Sequence, residues 1–207
     1  MSMPLALPNI LTLSRIAAIP LLVAACYVPA PLGAWLATAI FVLAALTDWL
    51  DGKLARKLRL QSAFGKMFDP IADKLLVASA LMLLVGFDLA PLIPCLVIAL
   101  REFLVSGLRE YLAGSGKALP VTPLAKWKTA SQMGAITLLL LAPALPAAGS
   151  ITFLGEALLW LAAGLTAMTG YAYLKEGVVQ LGMDEAGSAS GASTTPMAGL
   201  GSKGTGS

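Results

Sequence analysis

Six apolar stretches, at roughly 9–28, 33–58, 67–87, 91–112, 123–143 and 152–175, alternate along the chain with short breaks rich in proline, glycine or charge. A bilayer-spanning helix takes about 20 mostly apolar residues, so these runs are long enough for several crossings. Turn formers punctuate the gaps, as in Val28-Pro29-Ala30-Pro31, Ala90-Pro91 and the stretch from Pro143 to Gly149. From Gly187 to Ser207 the sequence is Gly, Ser, Thr and Ala with almost no charge, too little apolar mass to pack. The pattern predicts an all-α integral membrane protein. Residues 1–183 form a bundle of six transmembrane helices, and 184–207 a disordered Gly/Ser-rich tail. The first run has no early basic region, and Arg15 interrupts its apolar core. It therefore reads as a retained first helix and not as a cleaved signal peptide.

Composition agrees with this class. Hydrophobic residues make up 58% of the 207 and charged residues 12%, against about 25% charged in soluble domains. Both cysteines, Cys26 and Cys95, lie inside apolar runs and read as packing residues. The chain has no histidine, which excludes histidine-dependent triads, HExxH zinc enzymes and haem ligation by imidazole. Any proton chemistry falls to Asp, Glu, Lys, Tyr or a metal-bound oxygen.

Charge then orients the bundle. Of the 14 Lys and Arg, six lie between Lys53 and Lys74 and four between Arg109 and Lys128, while the connections near residues 30, 89 and 147 carry none. The positive-inside rule with an even number of spans places both termini in the cytoplasm, as in a bacterial-type inner membrane, with a polar cavity on that side. These basic residues either set topology alone or also bind lipid headgroups and phosphates, and the two roles are compatible.

The acids supply the chemistry. Only 11 are present, and four of them bound the run from Asp48 to Asp73, which reads D-x2-D-G-x2-A-R-x8-G-x3-D-x3-D. Asp48 and Asp51 are three residues apart and Asp69 and Asp73 four apart, so each pair shares a helix face. Four converging carboxylates near a bilayer repel one another and are costly to desolvate unless cations sit between them, and hard oxygen ligands suit Mg²⁺ or Mn²⁺. Small residues at Gly52, Ala55 and Gly65 let a backbone or phosphate approach, although small residues also serve helix packing in membranes. Carboxylates, divalent cations and several Arg and Lys together suggest handling of a phosphate or pyrophosphate.

With every spacing intact, the run from Asp48 to Asp73 resembles the CDP-alcohol phosphotransferase family of integral membrane enzymes. That resemblance implies that Asp48, Asp51, Asp69 and Asp73 bind two divalent cations, Mg²⁺ or Mn²⁺, with Asp73 the base, and that Gly52, Ala55, Arg56 and Gly65 shape the site for cytidine and pyrophosphate. Three more stretches, Pro8 to Arg15, Arg101-Glu102 to Ser106-Gly107-Leu108-Arg109-Glu110, and Lys126 to Met133, are similar to the branch that moves a phosphatidyl group from CDP-diacylglycerol to sn-glycerol 3-phosphate, releasing CMP. On this resemblance Asn9, Thr12 and Arg15 face the donor. Arg109, Lys126 and Lys128, with Arg101, bind the acceptor's phosphate, because a small dianion needs converging cations away from bulk water. The resemblance also implies a homodimer among membrane lipids and no nucleic-acid partner.

Several of these residues admit a second role. Arg15 and Arg109 can snorkel to headgroups, and Lys126 and Lys128 can act only as topology determinants. Arg101 and Glu102 lie inside an apolar span, where charge is expensive, so either they pair within the bundle or Arg101 lines the cavity. Trp35, Trp49, Trp127 and Trp160, and Tyr171 and Tyr173, read as interface or packing aromatics. The acceptor can instead be serine, an inositol phosphate or phosphatidylglycerol. A different class, a cation-coupled transporter, also places acids in a membrane, but no clear internal repeat supports it.

Overall fold

Proline marks where several helices begin. Pro31 and Pro91 immediately precede the second and fourth helices and Pro123 opens the fifth, positions where a fixed φ helps and the missing N–H removes no intrahelical bond. A computed structural model describes the backbone of residues 7–58, 63–114 and 123–192, with side chains described for 13–47, 71–112 and most of 124–175. Among these residues the chain is all-α: α1 (Leu7–Cys26), α2 (Leu32–Leu58), α3 (Ala63–Gly86), α4 (Leu92–Gly114), α5 (Pro123–Leu141) and α6 (Ala148–Ala192), with one 3-10 turn at Ala142–Ala144. The first five helices lie within a few residues of the stretches expected from hydropathy. The sixth starts earlier, at Ala148, and runs on to Ala192. It thus continues past the apolar stretch and through 184–192, where Ala186, Ala189 and Ala192 favour helix even without apolar mass to bury. The rest of the expected tail, 193–207, lies outside the described residues.

All six helices contribute to one apolar core. Leu22 of α1, Phe41 of α2, Leu76 and Leu84 of α3, Ile98 of α4, Ile136 and Leu139 of α5 and Leu159 of α6 are buried together. Small residues let the helices approach closely: Ala80, Ala135 and Ala162 are fully buried. One close approach is between α5 and α6, where a Cβ on Gly155 would stand 2.8 Å from Leu139 Cδ2. The outward faces are also apolar, with Leu43, Met82, Leu100, Phe153 and Met168 all more than half exposed. A belt of this kind on every side is a liability in water and suits a hydrocarbon solvent.

Among the described residues, one helix stretch, Ala148–Lys175, is long and apolar enough by itself to cross a membrane, and the described parts of α1 and α2, Leu13–Cys26 and Leu32–Thr47, are shorter apolar stretches. The six-helix count therefore stands, while six separate spans do not follow from length and hydropathy. In α4 and α5 polar residues break the apolar run: Arg101, Glu102 and Arg109 interrupt α4, and Lys126, Lys128 and Gln132 interrupt α5.

The turn from α3 to α4 is closed by two backbone bonds, Leu89 N–H to Leu84 O at 2.8 Å and Asp88 N–H to Val85 O at 3.2 Å. This is the Schellman pattern, and it requires a left-handed residue, here Asp88 at φ 54°. Glycine adopts that conformation without the Cβ clash. The Asp88→Gly variant is therefore expected to unfold at higher temperature, with a gain of about 0.5–1 kcal/mol, part of the relief being offset by the freer unfolded chain. A thermal melt in detergent with no gain would mean that Asp88 carries no such cost.

Candidate functional site

Helix α4 presents a polar ridge. Arg101, Val105 and Arg109 recur every four residues, flanked by the parallel row Glu102, Ser106 and Glu110, so both rows lie on one side of the helix. Together with Asp73 and Lys74 of α3 they line an open cavity of about 420 Å³. This cavity brings together the last aspartate of the motif and two of the cations expected to hold the acceptor.

The ridge is held by four sets of contacts. Lys74 Nζ donates to Ser106 Oγ, tying α3 to α4, and Ser106 in turn donates to Glu110 Oε1 at 3.4 Å. Glu102 accepts from two cations at once, Lys128 Nζ of α5 and Arg101 Nη1 at 3.4 Å. Arg101 Nη2 also donates to Thr169 Oγ1 of α6 at 3.2 Å, while the Thr169 hydroxyl donates to Leu165 O at 2.8 Å. Finally, Arg109 Nη2 donates to Tyr173 Oη at 3.3 Å. Among the described residues no carboxylate pairs with Arg109.

The expected site residues fall out unevenly. Asp73, Arg101 and Arg109 share the cavity. Lys128 is 5% exposed and reaches the ridge through Glu102. Lys126, two residues away and so on the opposite side of α5, is exposed and does not line the cavity. The expected place of Lys126 beside the acceptor is therefore not one this cavity supplies. Arg15 is 2% exposed and shares the α1 stripe of Ala18, Leu22 and Ala25, the face turned into the core; it does not snorkel. Arg101 pairs with Glu102 and also lines the cavity, so the two placements offered as alternatives occur together. Asn9, Thr12, Asp48, Asp51, Gly52, Ala55, Arg56, Gly65 and Asp69 have side chains outside the described residues.

Sequence reasoning missed Lys74, Ser106 and Tyr173. The four-residue spacing of Glu102, Ser106 and Glu110 was the available signal for Ser106. Nothing in the sequence separates Tyr173 from a packing aromatic.

Residues 5–168 match the CDP-alcohol phosphatidyltransferase family. The chain belongs to that family. Among similar CDP-alcohol phosphatidyltransferases, CDP-diacylglycerol–glycerol-3-phosphate 3-phosphatidyltransferase of Rickettsia bellii is 49% identical over 169 residues, 82% of this chain and 93% of the relative. The protein of the same name from Cereibacter sphaeroides is 38% identical over 213 aligned residues, covering 84% and 96%. A cardiolipin synthase (CMP-forming) of Oryza sativa is 40% identical over 188 residues, covering 83% of this chain and 57% of the relative. CDP-alcohol phosphatidyltransferases generally depend on divalent cations.

The two lysines of α5 give a direct check. Lys128→Met is expected to lower thermal stability, because Glu102 keeps a carboxylate with one cation fewer; adding Glu102→Gln should then cost little more, a coupling of about 1–3 kcal/mol. Lys126→Ala should leave both stability and the acceptor KM within about 2-fold. Additive losses in the Lys128–Glu102 cycle would show that the pair does not act as a unit.

Proposed function

We propose that this chain is a membrane-embedded transferase that moves the phosphatidyl group of CDP-diacylglycerol onto sn-glycerol 3-phosphate, giving phosphatidylglycerophosphate and CMP. The observation that carries the reading is the cavity in which Asp73 faces Arg101 and Arg109 from the neighbouring helix. One end can hold a phosphate dianion and the other can take a proton from a hydroxyl.

The acceptor's phosphate rests on Arg109 and Arg101, with Lys128 adding positive potential through its link to Glu102. Its free primary hydroxyl then points along α4 toward Asp73. As that oxygen attacks the phosphorus bearing the diacylglycerol, the Asp73 carboxylate takes its proton. The bond from that phosphorus to the bridging pyrophosphate oxygen breaks, and CMP leaves with the bridging oxygen and its electron pair. Asn9, Thr12 and Arg15 on α1 orient the donor, and Gly52, Ala55, Arg56 and Gly65 leave room for cytidine and pyrophosphate.

The donor set fits hard divalent cations. Asp73 opens onto a polar cavity one turn from Asp69 on α3, α3 touches α2, which carries Asp48 and Asp51, and every ligand is a carboxylate. Two such cations, Mg²⁺ or Mn²⁺, held by these four residues supply neutralisation of the pyrophosphate charge. Six spans with both termini and the cavity on the cytoplasmic side, in an inner membrane and as a homodimer, complete the proposed arrangement. The exposed apolar belt and the basic connections support it.

Purified protein given CDP-diacylglycerol, labelled glycerol 3-phosphate and Mg²⁺ or Mn²⁺ should release CMP and form labelled phospholipid. Serine, an inositol phosphate and phosphatidylglycerol form the comparison panel. Turnover with one of these and none with glycerol 3-phosphate would overturn the acceptor assignment, and cation transport without CMP release would overturn the enzyme reading.

A further inference from the structure

Tyr173 is 3% exposed, yet it is surrounded by more than apolar packing. The Arg101 guanidinium carbon lies 5.5 Å from its ring centroid and that of Arg109 5.1 Å. Two cations on one row of α4, about two turns apart, thus share one ring offered by α6. Left to themselves, two guanidiniums in a greasy bundle would repel and swing toward headgroup water. The negative ring face attracts both, and the phenol oxygen accepts from Arg109.

The same face of α6 is shaped for Arg101 in two further ways. Thr169 accepts from its Nη2. Gly170, one residue on, leaves the space its side chain occupies: a Cβ there would stand 2.8 Å from Arg101 Cγ. That atom lies near the backbone end of the side chain, where a small rotation cannot relieve the clash, so Gly170 fixes the path of Arg101 from its root.

We infer that Tyr173 is a positioning residue for the acceptor, its ring and the Cβ-free surface at Gly170 setting the spacing at which Arg101 and Arg109 meet one phosphate dianion. This rests on the reading that the cavity takes the phosphate of glycerol 3-phosphate. It adds that selectivity for a phosphorylated acceptor over a neutral alcohol depends on α6, which itself places no cation in the cavity.

The test compares wild type, Tyr173→Phe, Tyr173→Leu and Gly170→Ala in full-length protein. It reads KM for glycerol 3-phosphate, KM for CDP-diacylglycerol, kcat, and inhibition by inorganic phosphate. Loss of the ring in Tyr173→Leu is expected to raise the acceptor KM about 10-fold and to weaken phosphate inhibition by the same factor, with donor KM and kcat within about 2-fold. Tyr173→Phe keeps the ring and should cost about 2- to 3-fold, and Gly170→Ala about 5-fold, again in the acceptor KM alone. An unchanged acceptor KM in Tyr173→Leu overturns the inference while leaving the proposed function standing. So do equal losses in both KM values together with a lower melting temperature, which would make the residue merely structural. Should Tyr173→Leu fail to fold, Gly170→Ala decides by the same readouts. Absence of wild-type turnover with glycerol 3-phosphate removes the functional reading itself, and this inference with it.

Discussion

Asp73→Asn is expected to lower kcat by about 10²–10⁴-fold, the usual contribution of a positioned general base, with helix content and melting temperature unchanged. The fold should survive because the packing on this part of α3 is done by Ala72 and Leu76, at 0% and 1% exposure, while Asp73 opens onto the cavity. Asparagine keeps the shape and loses both the charge and the basicity. Since a carboxylate also holds cations, the assay should be run across a Mg²⁺ titration: full recovery at high Mg²⁺ would make Asp73 a ligand only. Turnover within about 10-fold of wild type at ordinary Mg²⁺ would remove it as the base.

The second large effect is expected at Arg109. Arg101 and Lys128 are partly neutralised by Glu102, whereas among the described residues no carboxylate pairs with Arg109, whose guanidinium is held by the Tyr173 ring and hydroxyl. An unneutralised guanidinium at the cavity wall gains most from an arriving dianion. A charge-assisted hydrogen bond contributes about 1.5–3 kcal/mol, so Arg109→Ala should raise the KM for glycerol 3-phosphate about 10- to 150-fold while leaving the donor KM nearly constant. Arg109→Lys should recover only part of this, because an ammonium cannot present a planar fork or stack on the ring. Equal changes in donor and acceptor KM would place Arg109 elsewhere in the reaction.

Much of this architecture is legible in hydropathy, because the proline breaks and the apolar runs report the same helix boundaries independently. The end of α6 is not: its apolar stretch stops near Lys175, and the helix continues to Ala192. The chemical run from Asp48 to Asp73 stands out because acids are scarce, so their spacing carries information. On the basic side the signal weakens. Lys126 and Lys128 look equivalent in a sequence, but two residues on a helix turn the chain by about 200°, and only packing reveals which one faces α4. Tyr173 was hidden for a related reason. An aromatic near the end of an apolar helix has the same sequence context whether it meets lipid or two guanidiniums, and the difference lies in the long-range pairing of α4 with α6.

Asp73 and Lys74 are neighbours in the chain, and Lys74 is fastened to Ser106 across the α3–α4 gap. Together with the shared core packing of Leu76 and Ile98, that bond fixes how far α3 is slid along α4, and hence where the Asp73 carboxylate sits relative to Arg109. With a rise of about 1.5 Å per residue, a slip of one turn would carry the carboxylate about 5 Å, beyond reach of a hydroxyl on an acceptor anchored at the arginines. The active geometry is therefore a matter of helix register. Exposed residues such as Leu100 or Phe103 can change in size at little cost, whereas one residue inserted into α4 ahead of Arg101 would rotate the whole ridge by about 100°, turning Arg109 away from Asp73 and the buried Val105 and Leu112 out of their packing.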